Sequence, residues 1–341
     1  MTVRRLPTNG IHVVCPASTS NLGSGFDTLG MAVDRYLTLH LRPASDRERV
    51  DGLVLERRGT LEDLSLNGAE DLIVSTLMDR IGQLPGPVVL TADSDIPIGR
   101  GLGSSASARV AGEVLASMLM HDAVDLREVL GAATAGEGHP DNVAPAVLGG
   151  LVAAGMSAAS HPDDANRVPL VRALALSPAI GWGFAAPQTS LSTRESRAAL
   201  PEHWSRDVVA RSLSRLARLI PALADPGPNG IHLTGLLEDE LHVPYRLPLI
   251  PGAVEAVGAA FEAGAWGVTL SGAGSGLIVL GHVGEMEPLV AAMSKAFRAA
   301  AGPKTSEPEA FVLHPVSQGV RWGQGLPPTL SALRPPQDHP G

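Results

Sequence analysis

Cysteine is nearly absent from this 341-residue chain: Cys15 stands alone. A single thiol excludes a disulfide within the chain and weighs against a thiolate metal site, so a reducing, cytoplasmic setting is expected. Lysine is almost as scarce, with Lys295 and Lys304 the only two among 26 basic residues. A phosphate site built on a lysine is therefore disfavoured, and backbone amides and arginines are left to hold any anion. Aromatic residues make up 3% of the chain against 44% hydrophobic residues, which implies an aliphatic, alanine-rich core. No window approaches the ~18 consecutive apolar residues of a membrane span. The opening MTVRRLPTNGIHVVCPAS has no apolar stretch of signal-peptide length. The net charge is −9 with the arginines dispersed, which argues against a nucleic acid or an anionic membrane as partner.

What the chain has is length and mixed periodicity. Its size favours two domains. Short apolar runs at 11–14 and 37–41 read as strands flanking a glycine-rich loop, and further strands are expected at 88–90, 148–154, 180–185 and 278–280. Apolar residues recur at helical spacing over 71–81, after Ser104, over 126–135 and over 206–219. The pattern is mixed α and β. The polar segment 157–166, with Pro162, Asp163 and Asp164, is the expected boundary, giving domains of 1–168 and 169–325. Residues 326–341 are proline-rich and read as a disordered tail or an extended strap.

Four runs carry chemistry. In the first, Pro97, Ile98, Gly99, Arg100, Gly101, Leu102 and Gly103 lead into Ser104, Ser105, Ala106 and Ser107, a glycine loop opening directly into an amphipathic helix. Glycines let backbone approach an anion, and a helix N-terminus presents unpaired amides and the positive end of its dipole. The loop lacks the Gly-Lys-Ser/Thr of a Walker loop and the acidic residue of a dinucleotide fingerprint. The paired serines add hydroxyls able to meet phosphate and a Mg²⁺ ion. An ordinary turn capped by Ser104 fits the same residues.

The second run is Glu137-Gly138-His139-Pro140-Asp141-Asn142-Val143-Ala144-Pro145, with Gly149 and Gly150 after it. Two carboxylates four residues apart suit a hard cation and a substrate hydroxyl. Equally, Glu137 reads as a solvated helix end, and Asp141 with Asn142 as a self-bonded turn. The third run, Pro16 to Asp27, and the fourth, Leu270 to Gly276, are polar glycine-rich loops beside apolar strands.

In this order, the runs resemble those of the GHMP kinases. The Pro16–Asp27 and Glu137–Pro145 runs narrow the resemblance to the homoserine kinase family, as do Leu191-Ser192-Thr193-Arg194-Glu195-Ser196-Arg197 and Glu240-Leu241-His242-Val243-Pro244-Tyr245-Arg246. The resemblance spans residues 11–280. It implies an α+β enzyme of two lobes, the N-terminal one like the second domain of ribosomal protein S5 and the C-terminal one ferredoxin-like, with ATP and L-homoserine meeting in the cleft. It further implies that residues 97–107 wrap the ATP phosphates and that Ser105 helps to hold Mg²⁺. Asn21, Asp27, Thr193, Arg197 and Arg246 would bind homoserine, and Asp141 and Asn142 would act in catalysis. Three positions depart from the family: Gly131 stands where several relatives carry a metal-binding glutamate, which moves that role to Glu137; Ser275 replaces a proline; and Asp71 stands where an asparagine often contacts adenine. Arg197 facing solvent and Arg246 capping a turn before Pro248 are the plainer readings of those two residues. Competing functions are a GHMP kinase for another small alcohol, mevalonate-type or sugar, and a sensor of the same fold without catalysis. A homodimer is left open.

Overall fold

The computed structural model describes residues 3–46, 48, 52–64, 70–157, 168–301 and 307–333. In chain order the first elements are β1 (Ile11–Ser20), β2 (Leu29–Pro43), β3 (Leu53–Gly59), α1 (Leu72–Ile81), β4 (Val88–Ser94), α2 (Ser104–Met120), α3 (Leu126–Glu137), α4 (Val143–Leu148), β5 (Leu151–Met156) and β6 (Pro169–Leu174). There follow β7 (Ile180–Ala186), α5 (Thr193–Ala198), α6 (Arg206–Ala224), α7 (Val243–Arg246), α8 (Ala253–Glu262), β8 (Gly267–Leu270), β9 (Leu277–His282), α9 (Met286–Ala301), β10 (Glu309–Leu313) and β11 (Arg321–Gln324). Among the described residues no helix is long and apolar enough to cross a membrane.

Among the described residues two sheets organise the fold. The first runs β11-β1-β2-β4-β3, with β5 paired to β2 and β6 to β5; the second runs β10-β7-β9-β8. Helix α2 buries Ala106, Val110, Val114, Leu115 and Leu119 against the first sheet, as their helical spacing requires. Strand β7 is buried along its whole length because both its faces are covered. Trp182 and Phe184 point into the core shared with the first sheet, while Ala185 points toward α8 and α9. Alternation on β9 does the same: Ile278 and Leu280 face one core, Leu277 and Val279 the other. Two of the scarce aromatics, Trp182 and Phe184, are thus placed where the two layers meet.

The structure shifts two expectations. The run 148–154 does not form a single strand: α4 ends at Leu148, and Gly149 and Gly150, at φ of 79° and 67°, turn the chain before β5 begins at Leu151. The segment 157–166, of which 158–166 lies outside the described residues, does not separate the sheets, because β5 before it and β6 after it pair antiparallel, Met156 opposite Pro169. The first sheet therefore extends to Leu174 and regains β11 from the far end of the chain, beyond the expected limit at residue 168. Polar, proline-containing runs mark exposed hairpin connections as well as linkers. Half of the expected tail, residues 334–341, lies outside the described residues.

Candidate active site

A cavity of about 360 Å³ opens between the glycine loop, the end of α3, the start of α5 and the turn at residues 272–274. Its glycine-loop end is made from backbone. Gly99, Gly101 and Gly103 take φ of 66°, 84° and 65°, a region that side chains resist. At Gly101 space forbids a side chain too, since a Cβ there would lie 1.9 Å from the Ser271 carbonyl oxygen. The loop is held from behind: Ser271 Oγ donates to the Gly101 carbonyl (2.8 Å), Gly276 N–H to that of Arg100 (3.1 Å) and Ser18 N–H to that of Leu102 (3.2 Å). Gly103, left-handed, is the N-cap of α2, and no side chain caps the helix, so Ser104 is a first-turn residue and not the cap.

Of the predicted phosphate-loop residues, Ile98, Gly99, Gly101, Gly103, Ser104 and Ser105 line the cavity. Pro97 is not among the lining residues. Arg100 turns away, donating to the Gln188 carbonyl and facing Glu309 at 3.9 Å. Leu102 and Ala106 belong to the core, and Ser107 Oγ donates to the Pro16 carbonyl. The side chains that a reading of the bare motif credits equally are therefore divided between cavity and core by the helical turn.

Ser105 Oγ donates to Glu137 Oε1 at 2.5 Å, and Arg109 Nε donates to Glu137 Oε2 at 3.1 Å. No group of three or more His, Cys, Asp or Glu side chains among the described residues could hold a metal by itself. A hydroxyl and a carboxylate converging at the cavity do form part of a hard-oxygen shell, the rest of which phosphate oxygens and water can complete, so the pair fits Mg²⁺.

Asp141 sits one layer behind the cavity, with His139 and Asn142 lining the wall in front of it. Its Oδ1 lies 2.5 Å from His139 Nδ1 and accepts the Asn142 N–H at 3.0 Å. Its Oδ2 has no partner in hydrogen-bonding geometry, although the Ser20 hydroxyl is close enough to favour its charge. Burial opposes that charge, but His139, Ser20 and the Asn142 amide outweigh burial and hold the carboxyl below the usual range. Burial likewise disfavours the imidazolium of His139, yet the bond and charge of Asp141 prevail and raise it. Asn142 is fixed from β1: Ser18 Oγ donates to its Oδ1 and its Nδ2 donates to Ser20 Oγ at 2.7 Å.

The far end of the cavity is built from charges. Asn21, itself left-handed at φ 59°, accepts the Asp27 N–H on Oδ1 at 2.7 Å and donates from Nδ2 to the Gly272 carbonyl. Asp27 forms a two-pronged ion pair with Arg197, at 3.2 and 2.9 Å. Arg197 thus has a partner and does not merely face solvent. Arg246 is 1% exposed and lines the cavity; Nε donates to the Ser196 carbonyl at 3.2 Å, and among the described residues it has no ion pair. Burial, then the charge of Arg197, lowers it to about 10 despite Asp27, Asp239 and Asp141. A buried, unneutralised guanidinium is not a turn cap. Thr193 also lines the cavity, at the first turn of α5, which Ser192 and Glu195 close with a capping box.

The family models for the GHMP kinases N terminal domain and the GHMP kinases C terminal match residues 70–150 and 209–299. A homoserine kinase of Moorella thermoacetica is 39% identical over 284 residues, 81% of this chain and 90% of the relative. The chain belongs to the homoserine kinases, a family of GHMP kinases. A member from Thermus thermophilus is 38% identical over 82% of this chain and 89% of its own. The fold is that of the solved homoserine kinase of Cytophaga hutchinsonii, with a TM-score of 0.73 at 24% identity over 94% of this chain and 99% of that one.

Two features of the site escaped the sequence. Leu61, Leu64, Leu72, Ile73 and Ile98 make one wall of the cavity apolar, and nothing in their spacing marks them as a group. Asp71, which borders that wall, spends its carboxylate on the Ile73 and Val74 N–H groups as N-cap of α1 and on Arg57. A capping pattern, Asp just before an apolar periodic run, was the available signal.

Proposed function

We propose that the protein transfers the γ-phosphoryl group of ATP to the side-chain hydroxyl of L-homoserine, giving ADP and O-phospho-L-homoserine, a step toward threonine, in the cytoplasm. The single observation that carries this reading is Arg246, buried at the cavity wall with no ion pair among the described residues. A substrate carboxylate leaving water meets there a planar donor able to form two parallel bonds. Arg197 lies beside it; Asn21, which lines the cavity, keeps a second lone pair on Oδ1 for an α-ammonium, and Asp27, held by Arg197, adds negative charge nearby. A zwitterionic amino acid matches both signs; a sugar matches neither.

The phosphates of ATP fit the amide-lined loop at residues 99–105, with the base against the apolar wall. Mg²⁺, held by Ser105 and Glu137 with phosphate oxygens, would neutralise charge on the transferring group. Phosphoryl transfer asks chiefly for positioning and charge stabilisation. Asn142 orients the acceptor hydroxyl, and Asp141, set behind His139, supplies negative charge to that wall as the hydroxyl's proton passes to water in the cleft.

The test is release of ADP by purified protein with MgATP when L-homoserine is added, with the phosphorylated product identified by mass. Turnover of mevalonate or a sugar in its place, without response to homoserine, overturns the assignment.

A further inference from the structure

The loop that carries Asp27 and the helix that carries Arg246 meet at one ring. His242, the residue before α7, is fully buried, and its Nε2 lies 3.0 Å from the Gly23 carbonyl oxygen. A carbonyl only accepts, so Nε2 carries the proton, and the neutral ring leaves a lone pair on Nδ1. Nδ1 faces Arg246 Nη1 at 3.5 Å, a long contact in which the guanidinium is the donor. Phe26 closes the group: its ring stacks on His242 at 5.1 Å with 22° between planes, and the Arg246 guanidinium carbon lies 5.2 Å from its centre.

We propose that His242 is a positioning residue that joins Arg246 to the loop at residues 23–27, so that the carboxylate-binding and ammonium-binding ends of the acceptor site move as one body. This rests on the function proposed above. Both ends of the link are rigid. Asp239 accepts the Leu241, His242 and Val243 N–H groups and so fixes the start of α7. Gly23, at φ 54°, leaves no room for a Cβ against the Leu237 backbone at 2.8 Å. Phe26 is the neighbour of Asp27, so a shift of Arg246 disturbs its ring and is passed to the carboxylate that pairs with Arg197. Burial and the charge of Arg246 lower the basicity of His242 against the pull of Asp239, in keeping with a ring that stays neutral beside a cation.

The link predicts an effect on one substrate only, expressed through one arginine. In His242→Leu the KM for homoserine should rise about tenfold, the range of a bond to a charged donor, with the KM for ATP unchanged and kcat within about twofold. His242→Gln, which keeps the volume and a donor toward Gly23, should give about threefold. In an Arg246→Leu background either substitution should add less than about twofold, because the route to the substrate is already cut. Equal increases for both substrates, or an undiminished effect in the Arg246→Leu background, would show that His242 only supports the fold. ¹⁵N NMR of the full chain supplies a readout without substrate. The resonances missing in His242→Gln should be those of an Nε2–H tautomer, and the Nδ1 resonance should shift in Arg246→Leu; an Nδ1–H tautomer overturns the proposal. If homoserine is not turned over while the tautomer and the shift are seen, the substrate assignment fails and the link stands.

Discussion

Under the proposed function the two ends of the cavity hold an anion in opposite ways. At the phosphate end the structure offers main chain, three left-handed glycines and the first turn of α2, with the one arginine of the loop turned away to Gln188 and Glu309. At the acceptor end it offers side chains: Arg246, buried and with no ion pair among the described residues, and Arg197, held by Asp27. A site made of backbone is insensitive to charge and intolerant of volume. One made of guanidinium groups is the reverse.

The sharpest way to break the first half is therefore to add a methyl group. Gly101→Ala should lower kcat/KM by about a hundredfold or more, combining backbone strain of ~1–3 kcal/mol with a collision at the Ser271 carbonyl. Gly52→Ala is the control: Gly52 shares the φ of 84° but has nothing within 4 Å of a Cβ, so turnover should be unchanged. The second half should fail by loss of charge. Arg246→Leu should raise the KM for homoserine by roughly ten- to a hundredfold and leave that for ATP alone, measured by steady-state titration of each substrate.

Much of this contrast could be read before the fold was known, and the reason is physical. Glycine spacing followed by an apolar helical period specifies a loop entering a helix, because few residues tolerate φ above zero and α2 needs its apolar stripe on one face. Strands β7 and β9 were legible as unbroken apolar runs for a similar reason: both their faces are covered. Strands β6 and β11 and helices α8 and α9 were not identified, since their pairing is decided by distant parts of the chain, and the alanines of α8 say little about which face is buried. At the site, a motif marks a neighbourhood without telling which side chains face the cavity. Arg100 and Ser107 lie in the loop's sequence and outside its chemistry, while His242 lies in a run noticed only for its arginine.

Asp141→Asn probes the junction between the halves. It keeps the shape and removes the charge that His139 answers, and kcat should fall by at least about tenfold with modest change in either KM. Near-normal turnover would leave Asp141 as a turn residue. The smallest effect expected is at Ser105→Ala, about three- to tenfold in turnover at limiting Mg²⁺ and recovered as Mg²⁺ is raised, with direct ATP binding little changed because the amides remain. A Mg²⁺ titration that superposes on that of the parent would remove Ser105 from the metal shell.

The return of β11 to the first sheet sets a timetable for synthesis. Ile11 pairs with Gln324 and Val14 with Arg321, so one edge of β1 lacks this partner until residues 321–324 have left the ribosome. At ~5–20 residues per second that interval is roughly 15–60 s. During it a nascent chain carries an open strand edge, the kind of surface that recruits foreign strands. Strand β11, the last among the described residues, seals the first, and a chain released short of residue 321 should be taken up by chaperones rather than accumulate as a folded N-terminal lobe.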